Sequence, residues 1–221
     1  MKKSVFILFI VLLPSALFAQ QFYALTGGTN TIFDYKDSNG EGLQDAVSLR
    51  QLHLNFGLRK QLGESIFHWK AGLANYRYAL ASQDSIYQKN YRWELSYIGV
   101  DLGLDAEVWS KQRFHLLVHG SASPQFLFQG RQHVNNRSFD LKGIEQFDKP
   151  FFFLQGGLSF MYCVDDRLAV TGGYTYGRGI GIGIGQKEDT ESLKIKAHHL
   201  SVGLAVSIKA CDYCFKKHFK N

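Results

Sequence analysis

Between residues 95 and 128 the chain alternates with a period of two. Ile98, Val100, Leu102 and Leu104 are apolar, and Tyr97, Gly99, Asp101, Gly103 and Asp105 fall between them. After a short polar turn, Ser110-Lys111-Gln112, the pattern returns. Phe114, Leu116, Val118, Gly120 and Ala122 take even positions, His115, His119, Ser121 and Ser123 odd ones, with Leu117 the exception. Successive side chains of a strand point to opposite faces, so alternation of this length predicts strands rather than helix. The stretch predicts a hairpin with one apolar face and one face of charge, imidazole, hydroxyl and glycine.

The same rhythm recurs along the chain, and helical periodicity is absent over any long window. A first strand is expected over about residues 21–28. A second, over 47–59, sets Leu52, Leu54, Phe56 and Leu58 against Gln51, His53, Asn55 and Gly57. A third, over 65–78, sets Phe67, Trp69, Ala71 and Leu73 against His68, Lys70, Gly72 and Ala74. The hairpin supplies the fourth and fifth. The sixth covers 151–164, the seventh starts at Leu168, and the eighth covers 197–209. The connections alternate in length. Residues 29–46, 79–90, 130–150 and the stretch reaching about 196 are long and polar, whereas 60–64, 110–112 and 165–167 are tight.

Eight strands with that alternation put every long loop at one end, and every tight turn and both termini at the other. Bacterial outer-membrane barrels have this arrangement, with an even strand number. The strands also suit the roughly nine to eleven residues a tilted membrane strand needs, against about five or six in ordinary globular sheets. The sequence therefore predicts an all-β fold: an eight-stranded antiparallel up-and-down transmembrane β-barrel with four long extracellular loops and three short periplasmic turns. The apolar stripe then faces lipid and the mixed stripe faces the lumen. Tyr76, Tyr78, Tyr91 and Trp93 at the loop end, with Phe67, Trp69, Trp109 and Phe114 toward the turn end, are expected to form interfacial belts.

Residues 1–19 read as a signal peptide. Lys2 and Lys3 precede a short apolar core, and Ala16-Leu17-Phe18-Ala19 offers a small-residue cleavage site. Losing those two lysines lowers the formal charge from +6 to +4. That modest, scattered excess, with no basic stripe interleaved with aromatics, argues against nucleic acid as a partner. Residues 20–209 are assigned to the barrel domain and 210–221 to a basic periplasmic tail. Of the three cysteines, Cys163 lies alone in a strand and is expected as a free thiol. Cys211 and Cys214 form Cys-Asp-Tyr-Cys in the tail, where a local disulfide is the ordinary outcome in an oxidising compartment.

With these residues in view the chain resembles the small outer-membrane β-barrel domains of diderm bacteria. These are the porin-family or PorT-type barrels, which share the architecture of OmpA-like and OmpX-like proteins. The resemblance is carried by the Phe18-Ala19-Gln20 signal end, Tyr97-Ile98-Gly99-Val100-Asp101-Leu102 and His119-Gly120-Ser121-Ala122-Ser123. It is carried further by Leu168-Ala169-Val170-Thr171-Gly172-Gly173-Tyr174-Thr175-Tyr176-Gly177 and the strand over 200–207. It spans nearly the whole mature chain, and its glycine and aromatic patterns specify architecture better than function. Such barrels often end on an aromatic that closes the last strand, whereas here thirteen residues follow Ile208.

An eight-stranded barrel has a lumen that side chains fill. Pairing strands about their loop centres sets Lys70 opposite Asp101, Asp101 near His119 and Asp105 near His115. This predicts a structural polar network of Lys70, Asp101, Asp105, His115 and His119, because charges removed from water need partners. Two His-x-Ser pairs, His119-Gly120-Ser121 and His199-Leu200-Ser201, resemble the pair that lipid A deacylases of this shape use with an acid. Both point into the barrel, while an acyl chain arrives from the lipid side, so no catalytic residue is assigned. The glycine run over 177–185 lacks the strand–loop–helix context of a phosphate loop and reads as strand extension. No metal spacing is coherent and no cofactor is expected.

The functional expectation is a non-enzymatic outer-membrane protein with a structural or surface-binding role. Its partners would be outer-membrane lipid and lipopolysaccharide, periplasmic assembly factors and a protein bound through the long loops. The alternative is a component of a transport or secretion assembly. A lipid-modifying enzyme and a soluble ligand-holding barrel rank below both.

Overall fold

Alternation by two, repeated along the chain, produces ten strands and one closed sheet among the described residues. The structure, a computed structural model, describes residues 21–36, 47–84, 89–135, 137–143, 150–181 and 192–208. The signal segment, the tail and the Cys211–Cys214 pairing lie outside the described residues. The strands are β1 (Gln21–Lys36), β2 (Val47–Ser48), β3 (Gln51–Gln61), β4 (Phe67–Asp84) and β5 (Lys89–Lys111), then β6 (Phe114–Val134), β7 (Arg137–Asp140), β8 (Phe151–Cys163), β9 (Leu168–Gly181) and β10 (Ser192–Ser207). Eight of them form an antiparallel ring in the order β3-β1-β10-β9-β8-β6-β5-β4, closed by the β3–β4 pairing. β1 joins the two chain ends by pairing with both β3 and β10. β2 adds to the upper part of β4 and β7 to the upper part of β6.

The apolar stripe faces outward. Leu52, Leu54, Leu102, Leu104, Leu158, Phe160, Leu200 and Leu204 are all exposed. Soluble monomers rarely expose contiguous apolar patches beyond a few hundred Å², so a girdle around the whole ring has lipid as its solvent. Closure removes every sheet edge within that girdle, as an environment without water requires. Phe67, Trp109 and Phe114 are exposed toward the turn end as expected. Tyr76 and Tyr78 are not in a belt. They share the inward, even-numbered face of β4 with His68 and are buried in the lumen.

Strand ends differ from the sequence expectation in one consistent direction. β1 runs on to Lys36, β4 to Asp84, and β5 starts at Lys89. Strand therefore covers 79–84 and 89–90 of the loop expected over 79–90, and the expected loop over 130–150 contains the end of β6 and all of β7. Outward apolar residues stop where lipid stops, but backbone pairing continues above it. β4, β5 and β6 thus form an arm that rises past the ring, widened by β2 and β7. At the other end the hairpin turn is Gln112-Arg113, with Gln112 at φ 54°, as tight two-residue hairpins demand. Asp165 closes the β8–β9 turn by accepting from the backbone N–H of Arg167 and Leu168, both at 2.7 Å.

The lumen is layered. Toward the arm, Tyr76, Tyr78, Leu95, Tyr97, Leu127 and Phe153 pack together. Toward the turns, Tyr23, Leu117, Met161, Cys163, Ala169 and Ala205 do. Tyr23 reaches across the bare backbone of β3 and β4. A Cβ added at Gly57 or Gly72 would stand 2.7 or 2.6 Å from its hydroxyl, so the close approach needs glycine. Cys163 is disulfide-bonded and buried, which corrects its reading as a free thiol. The isolation of Cys163 in sequence concealed this, because sequence distance says nothing about which cysteine approaches in space.

Candidate functional site

Between the two apolar layers lies a polar one, and its charges organise it. Asp105 on β5, 1% exposed at its side chain, receives Arg59 Nη2 from β3 at 2.8 Å and Lys70 Nζ from β4 at 3.1 Å. Arg59 also lies over the Tyr23 ring, 5.8 Å from its centroid. Asp101, one rung pair higher on the same face of β5, is held differently. Asn55 Nδ2 and Tyr76 Oη donate to its Oδ2 at 2.6 and 2.7 Å, and Gln155 Nε2 donates to Oδ1 at 3.1 Å. Gln155 also donates to Tyr76 Oη at 2.9 Å. Two carboxylates thus face two cations in this layer. One carboxylate binds both cations directly, and the other is solvated by three neutral donors.

The five residues predicted to cluster are all on the inward face, but their partners are redistributed. Lys70 stands opposite Gly103, not Asp101, and pairs with Asp105. Asp105 stands opposite His119 rather than His115. His119 Nε2 bonds Thr175 Oγ1 at 2.9 Å, while His115 sits lower, its Nδ1 within 3.1 Å of Ser110 and 3.3 Å of Glu107. The true registers are offset from the loop-centre estimates by two residues on β4–β5 and four on β5–β6. An even offset keeps every side chain on its predicted face while changing its neighbours.

A second constellation joins strands distant in sequence. Thr29 on β1 places its hydroxyl between His53 Nδ1 at 3.1 Å and His199 Nδ1 at 2.9 Å. A hydroxyl has one proton, so at most one of these bonds is donated by Thr29. The two imidazoles meet edge to face at a centroid distance of 5.1 Å, and His199 also lies 5.4 Å from Tyr76. Replacing Thr29 with valine keeps the shape and strips both buried Nδ1 atoms of their partner. Urea unfolding in lipid should show a loss of about 1–3 kcal/mol. An unchanged midpoint would show that the hydroxyl does not tie the rings.

These groups enclose a cavity of about 60 Å³ lined by His53, Asn55, Lys70, Tyr76, Asp101, His119, Thr175 and His199, among others. At roughly 30 Å³ per water in the liquid, that is room for about two waters and not for an acyl chain or a sugar. The His-x-Ser pairs are spent elsewhere: His119 on Thr175, His199 on Thr29, and Ser201 Oγ on the Gly173 carbonyl at 3.4 Å. Among the described residues no three His, Cys, Asp or Glu side chains converge as metal ligands. Sequence reasoning missed Arg59, Asn55, Tyr76, Gln155 and the Thr29 bridge. Only Arg59 carried a signal, as a charge on the inward parity of its strand.

A larger concavity lies on the outer wall of the arm. It measures about 930 Å³ and is lined by Val47, Ala81, Ser82, Asn90, Tyr91, Arg92, Glu94, Arg131, His133 and Asn135. Arg92 Nη2 meets Glu94 at 2.5 Å within it, both side chains exposed.

No protein-family model matches the chain. No curated protein matches it either. Solved structures do. Neisserial surface protein A is 13% identical, with a TM-score of 0.49, over 85% of this chain and 97% of that one. The outer membrane protease OmpT of Escherichia coli is 8% identical, with a TM-score of 0.44, over 86% and 97%. The attachment invasion locus protein Ail of Yersinia pestis, in complex with the heparin analogue sucrose octasulfate, is 12% identical, with a TM-score of 0.43, over 85% and 99%.

Proposed function

We propose that this chain is a non-enzymatic barrel of the bacterial outer membrane, structural or surface-binding in role. Its contact surface is the arm and the connections at that end. The observation behind this reading is the pairing of an outward apolar girdle with a lumen filled by side chains, whose central cavity is only about 60 Å³. A filled lumen does not conduct solutes. A rigid scaffold that ends in exposed strands and connections is a platform for recognition. Among the described residues, the hydroxyl–imidazole contacts of Thr29 with His199 and of Thr175 with His119 lie on the inward face, away from lipid. The full chain refolded into lipid vesicles should migrate differently with and without boiling, and should give no discrete single-channel steps. Stepwise conductance, or recovery of the protein in the soluble periplasmic fraction, would overturn the reading.

The alternative, a component of a transport or secretion assembly, draws on the PorT-type resemblance and on β7. Its four residues are all exposed at the side of the arm, and among the described residues β7 pairs only with β6, which leaves its other edge for a further strand. Co-purification of stoichiometric partner proteins in mild detergent would favour it over the solitary barrel.

A further inference from the structure

We propose that the outer wall of the arm binds a phosphorylated lipid headgroup of the surrounding leaflet through Arg92 and Arg131. This rests on the reading of the chain as a barrel in lipid and adds a specific ligand class to it.

The register fixes the height of these residues. Along the outward face of the β5–β6 ladder, Ile98 pairs with Phe126, Ser96 with Gln129, Glu94 with Arg131 and Arg92 with His133. The sequence of rungs passes from lipid-facing apolar to neutral polar to charged in three steps. Arg131 follows exposed Phe128 by three residues, about 10 Å along a strand and roughly 7 Å in height for a strand tilted by about 45°. The hydrocarbon core is about 30 Å thick within a bilayer of about 40–45 Å, so that height falls in the headgroup layer, where phosphates lie. The wall is continuous with the girdle below it, so a lipid packed on Phe126 and Phe128 has its headgroup beside the cleft.

The chemistry is suited to phosphate. Guanidinium forks bind phosphate oxygens in pairs. Both arginines are oriented rather than loose. Glu94 holds one nitrogen of Arg92, and the Gln129 side-chain oxygen, turned to face Arg131, accepts from its Nε and Nη2 at 3.2 and 3.0 Å. The remaining guanidinium N–H groups are available to a ligand. Arg77 lies one rung below on β4, opposite Ser96. The acids on this wall are Glu94 and Asp140, the latter opposite Arg131 on β7, so three arginines outnumber two carboxylates. The cleft volume, about 930 Å³, accommodates a sugar-sized headgroup.

The test uses the full chain in detergent micelles and native mass spectrometry, with two probes: a bisphosphorylated acylated glucosamine disaccharide and the same lipid lacking its phosphates. The unmutated chain should retain the phosphorylated lipid about tenfold more tightly. Arg92→Gln with Arg131→Gln should abolish that preference, while Lys111→Gln with Arg167→Gln, at the turn end, should keep it. Equal retention of the two lipids by the unmutated chain overturns the proposal without needing any variant. So does a preference that survives in the double arginine variant. Soluble glucosamine phosphate competing as well as the lipid would identify a free saccharide phosphate instead, and also overturns it. Heat-shift electrophoresis reads insertion separately: a chain that never inserts overturns the barrel reading together with the proposal, whereas insertion without preference overturns the proposal alone.

Discussion

Asp105→Ala should lower the stability of the folded barrel by about 3–5 kcal/mol, the cost typical of removing one partner from a buried ion pair. The carboxylate binds both Arg59 and Lys70, at 2.8 and 3.1 Å. Without it two cations remain in a region that the apolar layers above and below shield from water. The cost arises from those stranded charges, not from the lost attraction alone. A second substitution separates the two effects. Replacing Arg59 and Lys70 with methionine in the Asp105→Ala background should recover most of the loss, because an apolar set of similar volume strands nothing. Urea titration of the chain in lipid vesicles, followed by tryptophan fluorescence, measures both. If the single variant costs less than about 1 kcal/mol, the triad is hydrated and the lumen is open to water.

Leu102→Arg should cost about 2–4 kcal/mol, the penalty for a charge on the lipid face near the bilayer midplane. Leu102 is 54% exposed and stands between Ala71 and Ala122 in the middle of the girdle. On a soluble protein the same exposed position would tolerate the change to within about 0.5 kcal/mol, and solubility would improve. The two environments therefore differ severalfold for one substitution. Val108→Arg, nearer the turns, should cost about 0–1 kcal/mol in the same assay, because the side chain there reaches the interface. Equal, small effects at the two positions would remove lipid from the account.

Parity was legible in the sequence because it depends only on a period of two. It placed Leu102 outside and Asp101 inside without any knowledge of register. Strand length was not legible, because the sequence signal for an outward strand residue is lipid contact. Arg92 and Arg131 lie on strand segments above the exposed apolar residues Ile98 and Phe126, so their polar character imitates a loop. Register was legible only modulo two: the β4–β5 centre was taken from a loop drawn too long, and the β5–β6 centre was placed short of the Gln112-Arg113 turn. That is why Lys70 was assigned to Asp101 when it binds Asp105. The Thr29 bridge could not be read at all. It joins His53 and His199 across the seam where the first strand meets the last, and contacts across that seam exist only once the ring closes. The solvation of Asp101 by Asn55, Tyr76 and Gln155 was missed for a different reason: pairing charges by sign overlooks neutral donors, and three of them suffice for a buried carboxylate.

The orientation of the apolar stripe can be read directly with nitroxide labels placed one at a time at 100, 102, 104, 202 and 204, and at the inward positions Ser121 and Ser201, which line the lumen cavity, in reconstituted vesicles. Power saturation reports collisions with oxygen, which concentrates in lipid, and with a polar nickel chelate, which stays in water. High oxygen and low nickel collision rates are expected at 100, 102, 104, 202 and 204, and low rates for both reagents at 121 and 201. High nickel collision rates at 102 and 204 would contradict that orientation, because they would put water where the barrel requires lipid.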